Sequence, residues 1–369
     1  MSDESDEMEI FHNYIIRERQ IIRHKRMDIE NQKLNIQQPV KAKKEMKILY
    51  LMYGMGVSGG ARIIYEHANR LIDRGHDVEF HSFRDYNFGW FPLKAKINKN
   101  PADNYDAVFA TYFETYYPLI KSFKKSRKFY LVQGKESLFF TNPETNNRAA
   151  RTHNSDDGVQ RIAIARHLVK WLKSEYGVES LYLPNGLDLE FYKHTPGQEL
   201  NKTKFTILLE GGFLSKVKGI GDALNAIHKL RRAGHDFEVW HLSYTDSMAL
   251  KGVDRVFYRP DQELIPKLYT MADIMLKPSY HEGSPLPVME AMACGCVPVV
   301  SDCDGCLEYA RHDFNAKVFK TGDVLDIMKH IQPCAPNESW GRLAMNAKQF
   351  ARDYFGWDPI IDKLEQYLS

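Results

Sequence analysis

Glu282 and Glu290 bracket a Gly283-Ser284-Pro285 turn in the run Ser279-Tyr280-His281-Glu282-Gly283-Ser284-Pro285-Leu286-Pro287-Val288-Met289-Glu290-Ala291-Met292-Ala293-Cys294-Gly295. The turn opens a short helix of small and apolar residues, and the N-terminus of a helix favours an anion such as phosphate. Carboxylates repel phosphate, but they accept hydrogen bonds from sugar hydroxyls well. Two carboxylates beside a helix N-terminus therefore imply a ligand that carries both groups, and a nucleotide-sugar fits that description.

These residues need a scaffold. A strand over Ala272–Leu276 is expected to lead in, and a buried strand over Val297–Val300 to lead out. Glu282 then lies in the loop and Glu290 about one turn into the helix, at the carboxyl end of a parallel sheet, where open α/β sheets bind ligands. A βα rhythm runs through the chain before that point. The pattern predicts a strand at Lys47–Tyr53, a glycine-rich loop at Gly54–Gly60 and a helix from Ala61 to Arg74 that Gly75 stops. Strands are expected at Val78–Phe83, Ala107–Tyr112 and Phe129–Val132, a helix at Ile162–Tyr176 and a strand at Ser180–Leu183. The rhythm restarts with a strand at Phe205–Leu209, Gly211-Gly212 and a helix from Ile220 to Ala233, then strands at Phe237–Leu242 and Arg255–Tyr258. The tail from Trp340 to Leu368 reads as helix. Two doubly wound parallel units follow from this pattern.

The Glu282…Glu290 segment resembles the Glu-x7-Glu signature of retaining glycosyltransferases of family 4, and Ser301-Asp302-Cys303-Asp304-Gly305-Cys306-Leu307-Glu308-Tyr309 resembles the run that follows it in that family. The likeness extends more weakly from about Lys47 to the C-terminus. It implies an α/β protein of GT-B fold: two Rossmann-like doubly wound domains facing across a cleft, here with an appended N-terminal helix. The expected divisions are an arm at 1–45, an acceptor-side domain at 46–195, a nucleotide-sugar domain at 196–350 and a C-terminal helix at 351–369 that crosses back to the first domain.

The resemblance also implies roles. Glu282 would hold the sugar hydroxyls and Glu290 the ribose. Gly283, Ser284, Leu286 and Lys218 would meet the diphosphate, with Gly212 in the second-domain phosphate loop and Gly59 and Gly60 facing the cleft. Pro285 and Pro287 lack an N–H, which thins the amide cradle. The chain departs from the family in two places. Phe213 stands where an Arg is usual, and Gln133 where a His is usual. Lys216 is either a second cation at the phosphates or a solvated loop lysine, without the bidentate fork of Arg. Gln133 either bonds a sugar hydroxyl or is structural, and it cannot act as a base. His281 either contacts the donor or fills its loop. Asn185-Gly186-Leu187-Asp188 resembles a junction turn of the family. The expected reaction is retaining, metal-independent transfer of a hexosyl or deoxyhexosyl group from a UDP-, GDP- or dTDP-sugar to a glycan, lipid-linked or cell-surface acceptor, as in polysaccharide biosynthesis. In it the leaving phosphate can take the acceptor proton. The alternatives are another GT-B enzyme, such as a sugar-nucleotide epimerase or phosphorylase, or a non-catalytic GT-B binding protein, which Phe213 and Gln133 favour.

Composition narrows the field. The 369 residues suggest two domains. With 50 basic and 48 acidic side chains, a dedicated nucleic-acid binder is not expected. The 5 cysteines give no disulfide framework, which fits a reducing cytoplasm. No signal peptide or spanning helix is read at the N-terminus. Instead, Ile10, Phe11, Tyr14, Ile15, Ile16, Ile21 and Ile22 alternate with Arg17, Arg19, Arg23, Lys25 and Arg26, after an acidic stretch. That arm, residues 10–26, is expected either to lie on the inner face of an anionic membrane or to pack on the protein itself or in a homodimer. The glycine loop at 54–60 lacks both a P-loop lysine and an acidic residue standing out near Phe83, so it is no Rossmann fingerprint. Cys294-x-Cys296 and Cys303-x-x-Cys306 have spacings a zinc site uses, but buried thiols are the expected reading, with no metal and no cofactor. Asp302-Cys303-Asp304 matches the metal motif of another glycosyltransferase fold, which the flanking strand–helix pattern argues against.

Overall fold

The computed structural model describes residues 44–140, 142–153, 157–193, 204–245, 248–332 and 338–369. The N-terminal arm and the expected break at Pro196-Gly197 lie outside the described residues. Glu45–Ser369 form one compact unit.

Its first half runs β1 Lys47–Met52, α1 Gly59–Asp73, β2 Asp77–Ser82, β3 Lys96–Ile97, β4 Ala107–Ala110, α2 Phe113–Ser122, β5 Arg127–Val132, α3 Pro143–Arg151, β6 Val159–Ala163, α4 Arg166–Tyr176 and β7 Ser180–Tyr182. The second half runs β8 Thr206–Glu210, α5 Ile220–Arg232, β9 Glu238–Ser243, β10 Arg255–Tyr258, α6 Leu264–Met271, β11 Ile274–Lys277, α7 Leu286–Cys294, β12 Val297–Ser301, β13 Lys317–Phe319, α8 Val324–Ile331, α9 Glu338–Tyr354 and α10 Trp357–Leu368. The strands form two parallel sheets, ordered β3-β2-β1-β4-β5-β6-β7 and β10-β9-β8-β11-β12-β13. Each sheet reverses direction beside its first strand, β1 or β8. At such a switch point the loops at the strand C-termini part and leave a crevice.

Burial explains the strands. β1 and β4 pair with Ile48 opposite Ala107 and Tyr50 opposite Phe109, and all four side chains are buried. A parallel strand covered on both faces reads as a continuous apolar run. α1 is amphipathic, burying Ile63, Ile64, Ala68 and Leu71, and the Ser58 side chain caps it by accepting from the Ala61 N–H at 3.1 Å.

Two expectations need correction. The helix expected over Ile162–Tyr176 is a strand, β6, followed by α4. Ile162 and Ala163 pair with Leu131 and Val132 of β5, and the chain stays extended through Ala165 before turning helical. Short apolar runs carry no period that separates a buried strand from a helix. The helix expected from Trp340 to Leu368, and the tail helix expected at 351–369, are two helices broken at Phe355-Gly356. α9 packs on α7. α10 packs on the first half: Arg74 donates to Asp362 at 2.5 Å and Glu365 at 2.6 Å, and the Tyr367 hydroxyl donates to the Tyr182 carbonyl at 2.8 Å. The break sits over the Asn185–Asp188 turn, where the Leu187 N–H donates to the Phe355 carbonyl at 2.8 Å. The Asp188 carboxylate accepts from the N–H groups of Glu190 and Phe191, the usual chemistry of an Asx turn.

Candidate functional site

β11 delivers Glu282 to the cleft. Lys277 ends this strand with its side chain 1% exposed, held between Glu210 at 2.5 Å and Glu282 at 2.8 Å. Lys218 reaches the same Glu282 oxygen at 2.8 Å, and Ser279 donates to it at 2.8 Å. Glu210, Lys277, Glu282 and Lys218 thus form a chain of alternating charge. Burial alone would raise the Glu282 carboxyl, but Lys277 and then Lys218 outweigh it and hold the group at about 2. Burial disfavours the Lys277 ammonium, yet Glu210 and Glu282 raise it above the usual lysine range. Lys218 lies in a 3-10 turn at Lys216–Lys218 that Gly219 closes. Gly219 has φ +65°, and a Cβ there would lie 2.0 Å from the Pro278 carbonyl oxygen, so only glycine fits.

Glu290 projects from α7 into a different environment. Its carboxylate accepts from the Tyr269 hydroxyl at 3.2 Å and lies 3.7 Å from the Arg62 guanidinium of α1. Arg62 reaches over from the first half and also donates to the Tyr192 hydroxyl at 2.7 Å and to Gln262 at 3.1 Å. Burial pushes the Glu290 carboxyl up, with Arg62 opposing. The two glutamates are therefore driven in opposite directions, and such separation assigns different tasks to like groups.

Between them the N-terminus of α7 begins at Pro285, with no side chain capping it. Ser284 turns its hydroxyl to Tyr309 at 2.6 Å. Gly283 meets the opposite half: a Cβ there would lie 2.0 Å from the Gln133 carbonyl oxygen. A side chain at this position would force the halves apart.

The first-half wall is the loop after β1. A Cβ on Gly59 would meet Leu286 at 3.4 Å, and one on Gly60 would meet the Gln133 amide at 3.0 Å. The loop is braced by Asp85, which accepts from the Met55 N–H at 3.1 Å, and by Tyr65 and Trp90, which donate to the Met55 carbonyl at 2.8 and 3.0 Å. Asp85 is an acidic residue just past Phe83 that sequence reasoning passed over, and it holds the glycine loop. Phe113 and Tyr116 are core residues.

The structure thus brings Glu282, Glu290, Lys218, Gly283, Ser284, Leu286, Gly59, Gly60 and Gln133 to one cleft. His281 is exposed and shares a small cavity with Glu282, Lys135, Leu138, His167 and Asp304. Gly212 is buried at the end of β8, and Lys216 is exposed. Phe213 packs on the second core. Cys294, Cys296, Cys303 and Cys306 are buried. Among the described residues no group of three or more His, Cys, Asp or Glu is placed to hold a metal ion, and no helix is long and apolar enough to cross a membrane.

Sequence reasoning missed Lys277, Glu210, Arg62 and the pair Arg166–Glu308. Arg166, at the start of α4, places its backbone N–H and its guanidinium each 2.9 Å from Glu308, joining the two halves behind the cleft. A lysine closing an apolar strand was the readable signal for Lys277. A lone Arg two positions after Gly60 gave no signal of its own.

Residues 193–353 match the family model of glycosyl transferases group 1. Over 100 residues the chain is 38% identical to the N,N'-diacetylbacillosaminyl-diphospho-undecaprenol alpha-1,3-N-acetylgalactosaminyltransferase of Campylobacter jejuni, covering 27% of each protein. Over 101 residues it is 36% identical to O-antigen chain mannosyltransferase B of Escherichia coli, covering 27% of this chain and 26% of that one. The alignments thus span about a quarter of these curated relatives. Solved structures align over nearly the whole described chain. HepE of Anabaena, solved with UDP and glucose, superposes with a TM-score of 0.73 at 19% identity, covering 88% of this chain and 99% of that one. WaaG, a glycosyltransferase of lipopolysaccharide biosynthesis, gives 0.69 at 15%, covering 87% and 99%. The fold is GT-B.

Proposed function

We propose that the protein is a glycosyltransferase that moves a hexosyl group, with retention, from a nucleotide-sugar to a glycan or lipid-linked hydroxyl. One observation carries this reading: Glu282, held ionised by two lysines, and buried Glu290, raised by its burial, stand on either side of an uncapped helix N-terminus whose Leu286 meets Gly59 of the other half. Glu290 accepts from the ribose hydroxyls. Glu282, fixed as a carboxylate, accepts from the sugar hydroxyls. The diphosphate lies at the N-terminus of α7, where the helix dipole and Lys218 stabilise the charge that grows as the nucleotide leaves. This needs no divalent ion.

The relatives' names support the substrate class. One acts on an undecaprenol-linked diphosphate and another on an O-antigen chain. HepE solved with UDP-glucose supports a UDP-sugar among the donors.

The test is a panel of UDP-, GDP- and dTDP-sugars, following nucleoside diphosphate release and the anomeric configuration of any product. The matching nucleoside diphosphate raises the melting temperature, because a ligand that binds only the folded state stabilises it. No stabilisation by any of them and no release would overturn the proposal.

A further inference from the structure

The cation beside Glu290 comes from the other half of the molecule. Arg62 is the fourth residue of α1, and its side chain is 15% exposed. Its guanidinium lies 3.7 Å from Glu290 Oε1. That is beyond the reach of an N–H···O hydrogen bond, so Arg62 acts on the carboxylate through charge and occupies none of its lone pairs. Its own hydrogen bonds go to the Tyr192 hydroxyl at 2.7 Å and to Gln262 Oε1 at 3.1 Å, and it stacks over the Tyr192 ring at 5.2 Å.

The bond to Tyr192 sets a direction. A guanidinium only donates, so the Tyr192 oxygen accepts from Arg62 and keeps its own proton to give. That proton goes to Glu290, which also accepts from the Tyr269 hydroxyl at 3.2 Å. An ionised carboxylate has about four acceptor sites. The two tyrosines take two of them, and the two that remain match the paired hydroxyls of a ribose. Protonation would spoil the match, because one oxygen would then carry a hydrogen. Burial and, more weakly, Glu210 favour the protonated form; Arg62 is the largest influence against it, ahead of the two tyrosines. The titratable and charged groups around Glu290 are Arg62 on α1, Tyr192 after β7, Glu210 at the end of β8, Tyr244 after β9, Tyr269 on α6 and Cys294 on its own helix.

We propose that Arg62 is a positioning residue for donor binding, which reaches from the first half to keep the Glu290 carboxylate charged and its free lone pairs turned to the ribose. This rests on the reading above, in which Glu290 accepts from the ribose hydroxyls. The first half thereby takes part in nucleotide recognition without touching the nucleotide.

The test titrates UDP, GDP and their 2′,3′-dideoxy forms into the full chain, R62Q and R62K between pH 6 and pH 9, with melting curves to confirm folding. The ratio of wild-type to variant affinity at each pH cancels the ligand's own titration. In R62Q, UDP or GDP binds roughly tenfold more weakly at pH 6, the consequence of a carboxyl that loses a cation worth 1–3 pH units. The deficit narrows as pH rises, because Glu290 ionises again. R62K keeps the charge, stays within about threefold of the wild type and shows no such slope. At pH 6 the wild type discriminates against the dideoxy ligands and R62Q does so less. Equal affinity of R62Q and wild type, or a deficit that is the same at every pH, overturns the role of Arg62. Should R62Q not fold, a pH-dependent deficit in R62K overturns it. Equal binding of ribose and dideoxy forms by the wild type overturns instead the ribose role of Glu290, and no binding of UDP or GDP by the wild type overturns the nucleotide-sugar reading itself.

Discussion

Glu282→Gln removes one negative charge from the Glu210–Lys277–Glu282–Lys218 chain and keeps the shape. The Glu282 carboxyl moves from 4.5 to about 2 on folding. At 1.36 kcal/mol for each pH unit, ionised Glu282 contributes about 3 kcal/mol at neutral pH. Breaking a buried ion pair on one side typically costs about 3–5 kcal/mol, which agrees. The side chain is 11% exposed, so little solvent screening applies. Over the Glu45–Ser369 unit, an unfolding entropy of about 2.1 cal/mol/K per residue converts such a loss into a fall in melting temperature of about 4–5 °C. The sign of the pH dependence follows from the depressed value. The stabilisation is present above the unfolded value of 4.5 and is lost as pH falls towards 2. Differential scanning fluorimetry at a series of pH values shows a deficit for Glu282→Gln at pH 7 that closes on acidification through this window. A variant that melts with the wild type at pH 7, or a deficit that does not change with pH, would refute the charge-chain account.

Two other outcomes follow from the same reasoning. Glu136 is buried, accepts from the Phe113 N–H and the Tyr130 hydroxyl, and burial raises its carboxyl to about 8. Its contribution is fully present below the unfolded value of 4.5 and is lost as pH rises through 8, so Glu136→Gln gains melting temperature relative to wild type between pH 6 and pH 9. A gap independent of pH would contradict this. On the proposed reading, in which Lys218 and the α7 N-terminus meet the diphosphate, glycosyl transfer survives EDTA; complete loss restored by manganese or magnesium would return Asp302-Cys303-Asp304 to consideration.

Much of the second half was readable before the structure, because its signals are local. The strand–turn–helix around Glu282 and Glu290 needs only neighbouring residues, and β10 falls over the expected Arg255–Tyr258. What escaped depends on contacts distant in sequence. Arg62 and Glu290 meet only because the two halves close on each other. Lys277 becomes a buried ion only beside Glu210, 67 residues away. β6 looked helical because its neighbours β5 and β7, not its own pattern, make it a strand. α2 escaped because Pro118 lies inside it, and α6 carries Pro266. The contact of His167 Nε2 with the Gly283 carbonyl, 116 residues on, was invisible for the same reason.

The central claim is that the two glutamates hold different parts of one donor. It is tested most directly by titrating the nucleoside diphosphate that binds the wild type into Glu290→Ala and Glu282→Gln, with turnover measured in parallel. The account predicts that Glu290→Ala loses about 1.5–3 kcal/mol of nucleotide affinity, the scale of a charge-assisted hydrogen bond, while Glu282→Gln keeps nucleotide affinity and loses turnover. Unchanged affinity in a folded Glu290→Ala, or equal loss of nucleotide affinity in both variants, would contradict it.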